Sequence, residues 1–400
     1  MMAMKKVAFL KIPVVAICLI LLAGCWNSRE LDDLGIVVAA GIDKTDDGQY
    51  LLVNQVINPS EIATDAPTTR PPVSTYTSTG PTIFEAFRNM AHQSPRKMYL
   101  PQLRLLVIGK DLAEEGIMPS LDLFFRDHEF RTGYYISIAK DTDVETLLST
   151  ITAYEKIPAN KLMYSIEIVE ESQGSSHGIT IDELISQIRN KGQNPVIAGL
   201  LMEGPEDTGT NISNVENINA PTKITTDHLG VMKEDKLVGW LNEDASKGYN
   251  YILGNIKSSV VTHPCTGGTA SIEVLRTKSN MDASFEGGKP TVSIQLDLEG
   301  NVGEINCPID LSKIETIQKL NKEVEQEIKK NMEESIKIAQ NDFESDIFGF
   351  GSLIHRKNPK YWKTVENDWD AQFKELDVDI QVKAKLRRKG GTTQPITKEG

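Results

Sequence analysis

The sequence contains few cysteines, no excess of positive charge and only one long apolar run. Four cysteines among 400 residues are too few for a disulfide-dense scaffold. The 43 lysine and arginine residues are outnumbered by 56 aspartate and glutamate residues, so the net charge is −13, which argues against nucleic acid as the main partner. A mean hydropathy of −0.28 excludes a polytopic membrane protein.

In its overall composition the chain is like an ordinary globular protein. Hydrophobic residues make up 40% of the chain and charged residues 25%, so disorder and a coiled-coil rod are poor fits. At roughly 150 residues per domain, the length favours two or three domains. The sequence therefore predicts an acidic, multi-domain body, and its N-terminal segment indicates what that body is attached to.

The N-terminal segment has the pattern of an export signal. Lys5, Lys6 and Lys11 form a positive region, and an apolar run over residues 12–23 is broken only by one proline. As a helix this run would rise about 18 Å, well short of the ~30 Å hydrocarbon core of a bilayer. Because the run is too short for a stable span, we interpret residues 1–24 as a signal peptide.

The signal ends in Leu22-Ala23-Gly24-Cys25, which resembles the bacterial lipobox. Small residues fit a peptidase groove, and the cysteine offers a thiol for diacylglyceryl transfer before cleavage. We therefore predict that Cys25 is the first mature residue and the lipid site; the alternative is an uncleaved short anchor with a chance cysteine. Cleavage would leave a net charge of −16, which an anionic bilayer repels, so the lipid would hold the body at the membrane.

Two mixed α/β units are predicted next, an N-terminal domain over residues 25–150 and a middle domain over residues 151–258. Apolar runs at 36–43 and 49–57 flank an Asp-Gly step, which predicts a β-hairpin. Residues 58–82 are rich in proline, threonine and serine. They favour a plain surface connection over an extended edge.

The third unit, residues 259–388, has the clearest pattern, and residues 389–400 form a polar tail. Ser312 and Glu315 match a capping box at the start of an amphipathic helix of about 28 residues. The apolar stripe of this helix consists of Leu320, Val324, Ile328, Met332 and Ile336.

The same unit contains strands with one apolar face, one at 292–298 and one at 376–387, and another helix marked by Trp362, Trp369 and Phe373. The last strand carries Leu376, Val378, Ile380, Val382, Ala384 and Leu386 on one face and Asp377, Asp379, Gln381, Lys383, Lys385 and Arg387 on the other. One solvated face implies an antiparallel or mixed sheet. The fold class is therefore α+β, with three mixed α/β domains, the third an antiparallel or mixed sheet packed against a long amphipathic helix.

An ordered set of short motifs spans essentially the whole mature chain. They are residues 25–31, residues 36–41 with Asp43, residues 105–109 with 112–113 and 115–116, Arg126-Asp127 with Arg131, residues 236–241, and Trp362, Trp369 and Phe373. Together they resemble the spore germination lipoproteins that form the C subunit of nutrient germinant receptors (the Ger(x)C family). One departure lies at Gln102, where many relatives have a histidine nearby, so no role is assigned to that position.

The resemblance implies a three-domain α/β lipoprotein on the outer face of the spore's inner membrane, without enzymatic activity. It also implies two kinds of contact. One is with integral-membrane receptor subunits, of the A and B types, and the other is with the bilayer through the acylated Cys25.

The densest group of ionisable side chains is Arg-Asp-His-Glu-Phe-Arg at residues 126–131. A metal or acid–base site there lacks a second histidine at ligand spacing, because the six histidines are scattered. No phosphate loop and no Gly-x-Ser-x-Gly elbow occurs. We therefore expect no enzyme, metal or cofactor, and we expect Arg126, Asp127 and Arg131 to form structural or partner-facing ion pairs.

Cys265 and Cys307 remain once Cys25 is acylated and the signal peptide is removed. Each lies beside a proline in a predicted loop. Outside the cytoplasm a disulfide is allowed, and two separate buried thiols are equally compatible with the sequence. A bridge would require Cα atoms within about 7 Å.

Two other functions fit part of the pattern. A solute-binding lipoprotein of a transporter would need two similar doubly wound lobes, whereas the third unit is a long helix on an amphipathic sheet. A lipid-anchored hydrolase would need a catalytic constellation that the sequence lacks. The leading prediction is a non-catalytic receptor subunit that presents a folded surface above the bilayer and supports nutrient sensing.

Overall fold

The computed structural model describes residues 33–62 and 70–388. Their strands form two sheets, one of ten strands and one of four, and helices pack against both. This arrangement confirms the predicted α+β class. The predicted signal peptide, Cys25 and the polar tail lie outside the described residues.

The first sheet consists of strands β1 (Leu34–Lys44), β2 (Tyr50–Ile57), β3 (Val73–Gly80), β4 (Lys97–Tyr99), β5 (Leu105–Gly109), β6 (Tyr135–Ala139), β7 (Ile179–Thr180), β8 (Val196–Glu203), β9 (Lys223–Lys233) and β10 (Lys236–Trp240). Their order across the sheet is β10-β9-β8-β6-β5-β1-β2-β3, with β4 beside β1 and β7 beside β6.

Parallel strands form the centre of this sheet. β1, β5, β6 and β8 run parallel, and antiparallel strands flank them on both sides. The continuous apolar runs of β1 and β5 are buried, as expected for strands covered on both faces. The predicted β1–β2 hairpin is present, and Gly48 supplies the positive φ (78°) that its turn requires.

Helices cover both faces of the first sheet. The helices of this part are α1 (Pro59–Ile62), α2 (Ile83–Asn89), α3 (Lys110–Glu115), α4 (Met118–Arg126), α5 (Val144–Ser149), α6 (Pro158–Ser172), α7 (Ile181–Ile188), α8 (Glu206–Gly209), α9 (Ser213–Glu216) and α10 (Glu243–Leu253). One face of the sheet is covered by α2, α3, α4 and α7. The other face is covered by α5, α6 and α10, in a core that continues into the second sheet.

The predicted boundary between residues 150 and 151 falls inside this sheet. β6 precedes the boundary and β8 follows it, yet the two strands pair in parallel, with Ser137 opposite Ala198. The first two predicted units therefore share one sheet. The predicted boundary at residues 258–259 does separate the two sheets, and the division into three units stays a prediction.

Strand β3 corrects the prediction of a plain surface connection over residues 58–82. It pairs antiparallel with β2 along its whole length, and its valine, threonine and tyrosine residues favour a strand. On its other edge, the side-chain amides of Asn89 and Gln93 donate hydrogen bonds to the carbonyl oxygens of Thr79 (2.9 Å) and Thr77 (2.7 Å). The outer edge of the sheet is thereby partly capped.

The second sheet is mixed. The neighbouring pairs β11–β12 and β12–β13 are antiparallel, and β14 lies parallel to β13 at the edge. Its strands and helices are β11 (Ser259–Cys265), β12 (Gly268–Glu286), β13 (Lys289–Ile305), α11 (Ile314–Asn341), α12 (Phe350–Lys357), α13 (Pro359–Val365), α14 (Trp369–Lys374) and β14 (Asp377–Arg388).

Helix α11 is the predicted long helix, with 28 residues. Its stripe residues Leu320, Val324, Ile328 and Met332 are at most 3% exposed and lie in the core with the apolar face of the second sheet. The prediction of this helix and of its buried face is confirmed.

Two local details of this region correct the sequence prediction. The capping box is absent, because Lys313 is the N-cap residue and no side chain accepts a hydrogen bond there. The N–H of Ser312 instead donates to Asp310 Oδ1 (2.8 Å), which holds the preceding residues in a turn. The helix predicted around Trp362 and Phe373 is two helices, α13 and α14.

Asp346 is buried where the C-terminal helices meet the first sheet. Its Oδ1 accepts hydrogen bonds from the backbone N–H groups of residues 348–350, at 2.9–3.2 Å. Its Oδ2 accepts from the N–H of Gly351 (2.7 Å) and from Nε1–H of Trp369 (3.0 Å). Burial raises the pKa of Asp346 to about 6, against the opposing effect of these donors, so the carboxyl group is ionised at neutral pH.

Replacing Asp346 with alanine leaves these five buried donors without their acceptor. We expect the free energy of unfolding to fall by roughly 3–5 kcal/mol, because buried donors left unpaired cost about 1–3 kcal/mol each and large effects of single substitutions reach about 4–5 kcal/mol. Denaturant titration at neutral pH measures the change. The control is Asp342→Ala nearby, where the side chain is exposed and a change within about 0.5 kcal/mol is expected. Equal stabilities of the two variants would contradict the role given to Asp346.

Cys265 and Cys307 form a disulfide in the structure, with Cα atoms 6.1 Å apart. They meet at one end of the second sheet, because Cys265 ends β11 and Cys307 follows β13. The bridge joins residues 42 positions apart. Its formation in the exported protein stays a prediction.

Reduction of this bridge is expected to destabilise the protein by roughly 4 kcal/mol, because the chain-entropy model assigns about that value to a loop of this length. Denaturant titration with and without a reductant measures the change. A Cys265→Ser variant serves as the control and should not respond to the reductant. Free thiols at both positions, found by non-reducing mass spectrometry of the exported protein, would refute the bridge.

Candidate functional site

Residues 126–131 lie at the end of α4 and beyond it, and all of them except the buried Phe130 reach the surface. The Arg126 guanidinium donates two hydrogen bonds to the Asp122 carboxylate one helical turn earlier (2.7 and 2.9 Å). These hydrogen bonds raise the pKa of Arg126 and lower the pKa of Asp122. Asp127 Oδ1 accepts the N–H of Glu129 (2.8 Å) and so shapes the turn after the helix.

The predicted residues in this cluster do not converge on a common centre. The side chain of His128 is 96% exposed, and Arg131 is also exposed. Within residues 33–62 and 70–388, no group of three or more His, Cys, Asp or Glu residues could hold a metal. The cluster forms local ion pairs and faces the solvent, and a partner-facing role for it stays a prediction.

An aromatic groove, lined by Phe84, Phe87, Leu123 and Phe130, lies beside the cluster. It has a volume of about 450 Å³. Behind it, the ring centroids of Phe124 and Phe130 are 5.0 Å apart. The ring centroid of Phe87, on α2, lies 6.1 Å from those of Phe124 and Phe130, so aromatic contacts hold α2 beside α4 and its following loop.

The rim of the aromatic groove carries side chains of both charges. Phe84 is 50% exposed, and the Arg88 guanidinium lies over its ring, 5.1 Å from the centroid. Arg96 and Lys97 also line the groove, and Lys97 pairs with Glu129 (2.6 Å). Exposed apolar surface of this kind marks interaction sites, and the rim, where Asp127 and Glu129 also lie, offers both signs of charge to a partner.

A second cleft connects the aromatic groove to the ionisable cluster. It has a volume of about 720 Å³ and shares Phe84, Leu123 and Asp127 with the groove. Arg126 and His128 line its other side. The structure therefore brings Arg126 and Asp127 next to exposed aromatic surface, whereas Arg131 lines neither cavity.

A third cleft lies at the first residues of β1. It has a volume of about 750 Å³, and Leu34, Ile36, Arg104 and Ile157 line it together with Gln102. It shares Lys97, Met98 and Glu129 with the aromatic groove.

Within residues 33–62 and 70–388, every helix is too short or too polar to span a bilayer.

The other histidines are dispersed, as the sequence indicates. His355 stacks on Trp362, with centroids 5.6 Å apart. Three histidines lie beside a carboxylate, namely His177 beside Glu170, His228 beside Asp227 and His263 beside Glu323. None of these pairs shares a residue with another, so they do not assemble a catalytic group.

The motif at residues 236–241 has a packing role that the sequence pattern did not reveal. The Trp240 ring lies against Gly199 and Gly230, where an added Cβ would come within 2.6 and 3.1 Å of it. Lys140 lies over the same ring, 5.1 Å from the centroid, and forms an ion pair with Asp227. The Trp240 ring therefore occupies a slot left by two glycines. In the sequence, this slot is indicated by the glycine within each of two strands, since glycine in a strand often marks the close approach of another group.

Two family models match the chain. The model described as "Spore germination protein N-terminal domain" matches residues 27–200. The model described as "Spore germination B3/ GerAC like, C-terminal" matches residues 227–390. Together they cover most of the chain; the first ends within β8 and the second begins within β9.

Similar proteins of known sequence or structure agree with these models. Spore germination protein KC of Bacillus subtilis is 31% identical over 94% of this chain and 95% of its own length. Spore germination protein B3 of the same organism is 24% identical over 94% and 96%. A crystal structure of the GerBC protein has a TM-score of 0.55 at 19% identity and covers 90% of this chain and 99% of its own. With its fold matched as well, this chain belongs to the GerAC-like family of spore germination proteins.

Proposed function

We propose that this protein is the lipid-anchored C subunit of a nutrient germinant receptor and that it acts without catalysis. The observation that supports this most strongly is the similarity to spore germination protein KC over 94% of the chain. In this role the protein assembles with integral-membrane subunits of the A and B types. Its place is the outer face of the spore's inner membrane.

The proposed attachment point is Cys25. Nine positions separate it from Leu34, where β1 begins, so the strand starts at most about 32 Å from the anchor. The cleft at the start of β1 then faces the zone near the bilayer. Because the mature body has a net charge of −16, two acyl chains and not electrostatic attraction provide the membrane affinity.

The aromatic groove, with Arg126 and Asp127 beside it, is the proposed contact surface for a membrane subunit. Aromatic residues and arginine are enriched in the energetically important centre of protein interfaces. The groove shares Lys97 and Glu129 with the cleft at the start of β1, and this supports a position on the side of the body nearer to the proposed anchor. Arg131 lies in the same surface loop and is proposed as a peripheral contact.

A solute-binding lipoprotein of a transporter is the alternative. The clefts are large enough for a small molecule, but that mechanism needs two similar lobes that close on the solute. The two sheets have ten and four strands with different orders. Calorimetry that detected tight binding of an amino acid, sugar or peptide would favour this alternative.

Replacing Cys25 with alanine should abolish acylation, because the thiol is the only acceptor for the diacylglyceryl group. The body should then be unprocessed or unanchored. Incorporation of a labelled lipid into the exported chain measures the effect, and Cys307→Ala is the matched control that should keep the label. Persistent labelling of the Cys25→Ala protein would overturn the anchor assignment.

Replacing Phe84 with aspartate should weaken binding to the membrane subunits, measured by co-purification, about thirty-fold or more, because loss of an interface hot spot costs at least 2 kcal/mol. The fold should tolerate the change, since an acidic residue is favoured in the first turn of a helix. Tyr154→Asp is the matched control, because Tyr154 is 93% exposed and lies outside the groove. Equal recovery of membrane subunits with both variants would exclude the groove as the contact surface.

A further inference from the structure

Strand β14 forms one edge of the second sheet. Among the described strands it pairs only with β13, so every second residue directs its N–H and C=O groups away from the sheet. Ala384 and Leu386 belong to this outward set, because their N–H groups donate to side chains of α11. By alternation, Val378, Ile380 and Val382 belong to it as well.

Helix α11 caps both ends of this edge. Glu325 Oε1 accepts the N–H of Ala384 (2.9 Å) and Asn321 Oδ1 accepts the N–H of Leu386 (3.1 Å). At the other end, the Gln340 amide donates to the carbonyl oxygen of Leu376 (2.9 Å). Between the caps lie residues 377–383, called the open stretch because, in the described part of the chain, no side chain caps its outward groups; Ile380 at its centre is 5% exposed.

The charges on the open stretch are arranged to match a second copy. Asp377 and Asp379 lie at its start and Lys383 at its end, all exposed. In the described part of the chain these three side chains form no ion pair. Two copies that pair antiparallel about Ile380 place Asp377 of each opposite Lys383 of the other, and Asp379 opposite Gln381.

We propose that two copies of this chain pair edge to edge through residues 377–383 of β14, with a two-fold axis at Ile380. The outward groups of Val378, Ile380 and Val382 then form about six backbone hydrogen bonds between the copies. The two four-stranded sheets become one continuous sheet. The contact is isologous, so it closes as a dimer and does not extend.

The caps and charges select this register over its neighbours. Moving the axis to Asp379 places two Asp379 carboxylates directly opposite each other, which is destabilising. Moving it to Gln381 places Val378 opposite Ala384, whose N–H is already bonded to Glu325. Parallel pairing of identical strands would align like charges and would lack a two-fold axis.

Charge exchange tests the contact. Asp377→Lys and Lys383→Asp each create like charges opposite one another at both ends of the stretch, and each should weaken dimerisation about ten-fold, equivalent to about 1.4 kcal/mol. The double variant restores opposite charges and should return the dissociation constant to within about three-fold. Within one chain the two positions are roughly 20 Å apart along the strand, so this rescue reports contact between copies.

Sedimentation velocity of the full-length protein in a neutral detergent, over a range of concentrations, measures dimerisation. Lys360→Asp is the control, since Lys360 is exposed on α13, and it should leave the dissociation constant unchanged. Thermal unfolding of every variant verifies the fold. A wild-type protein that stays monomeric, or a double variant as weak as either single variant, would overturn the proposal. Loss of binding to another protein in the edge variants of a monomeric chain would assign the edge to that protein and overturn it too.

Discussion

The buried carboxylate of Asp346 determines how the C-terminal helices sit on the first sheet. It accepts hydrogen bonds from the N–H groups that begin α12 and from the indole N–H of Trp369. The backbone carbonyl oxygen of Asp346 accepts a hydrogen bond from the N–H of Asn194 (2.7 Å). Nearby, a Cβ on Gly351 would lie 2.7 Å from the Cα of Gly192. Such a close approach of two backbones leaves little room for the helix to shift against the first sheet. The buried side chains of the two sheets form one continuous core.

Elements with a strong hydrophobic period were predictable from the sequence. Helix α11 and strand β14 repeat with the period of the face they bury, whereas the β1–β2 hairpin was indicated by two apolar runs and an Asp-Gly step. The structure confirms all three. Strand β3 was not predictable in the same way, because its pairing with β2 decides its conformation. Strand order is likewise a long-range property, and no local pattern indicates that β6 lies beside β8.

The candidate site was predictable only in part. The density of charge identified Arg126 and Asp127, whereas no sequence motif identified Phe84 as part of a groove. The aromatic groove exists because α2 and α4 pack side by side, and the sequence does not specify which helices become neighbours. The Trp240 slot depends in the same way on Gly199 and Gly230 from two different strands.

The pairing of β8 with β9 limits how this protein can be divided into fragments. The two family models separate between residues 200 and 227, but β8 and β9 pair antiparallel across that gap, with Val196 opposite Val231. A fragment ending at residue 200 would uncover one edge of β8, and an uncovered apolar edge recruits other chains. Truncations of this protein that avoid aggregation therefore have to retain the β9–β10 hairpin with the N-terminal half, even though the family boundary assigns that hairpin to the C-terminal half.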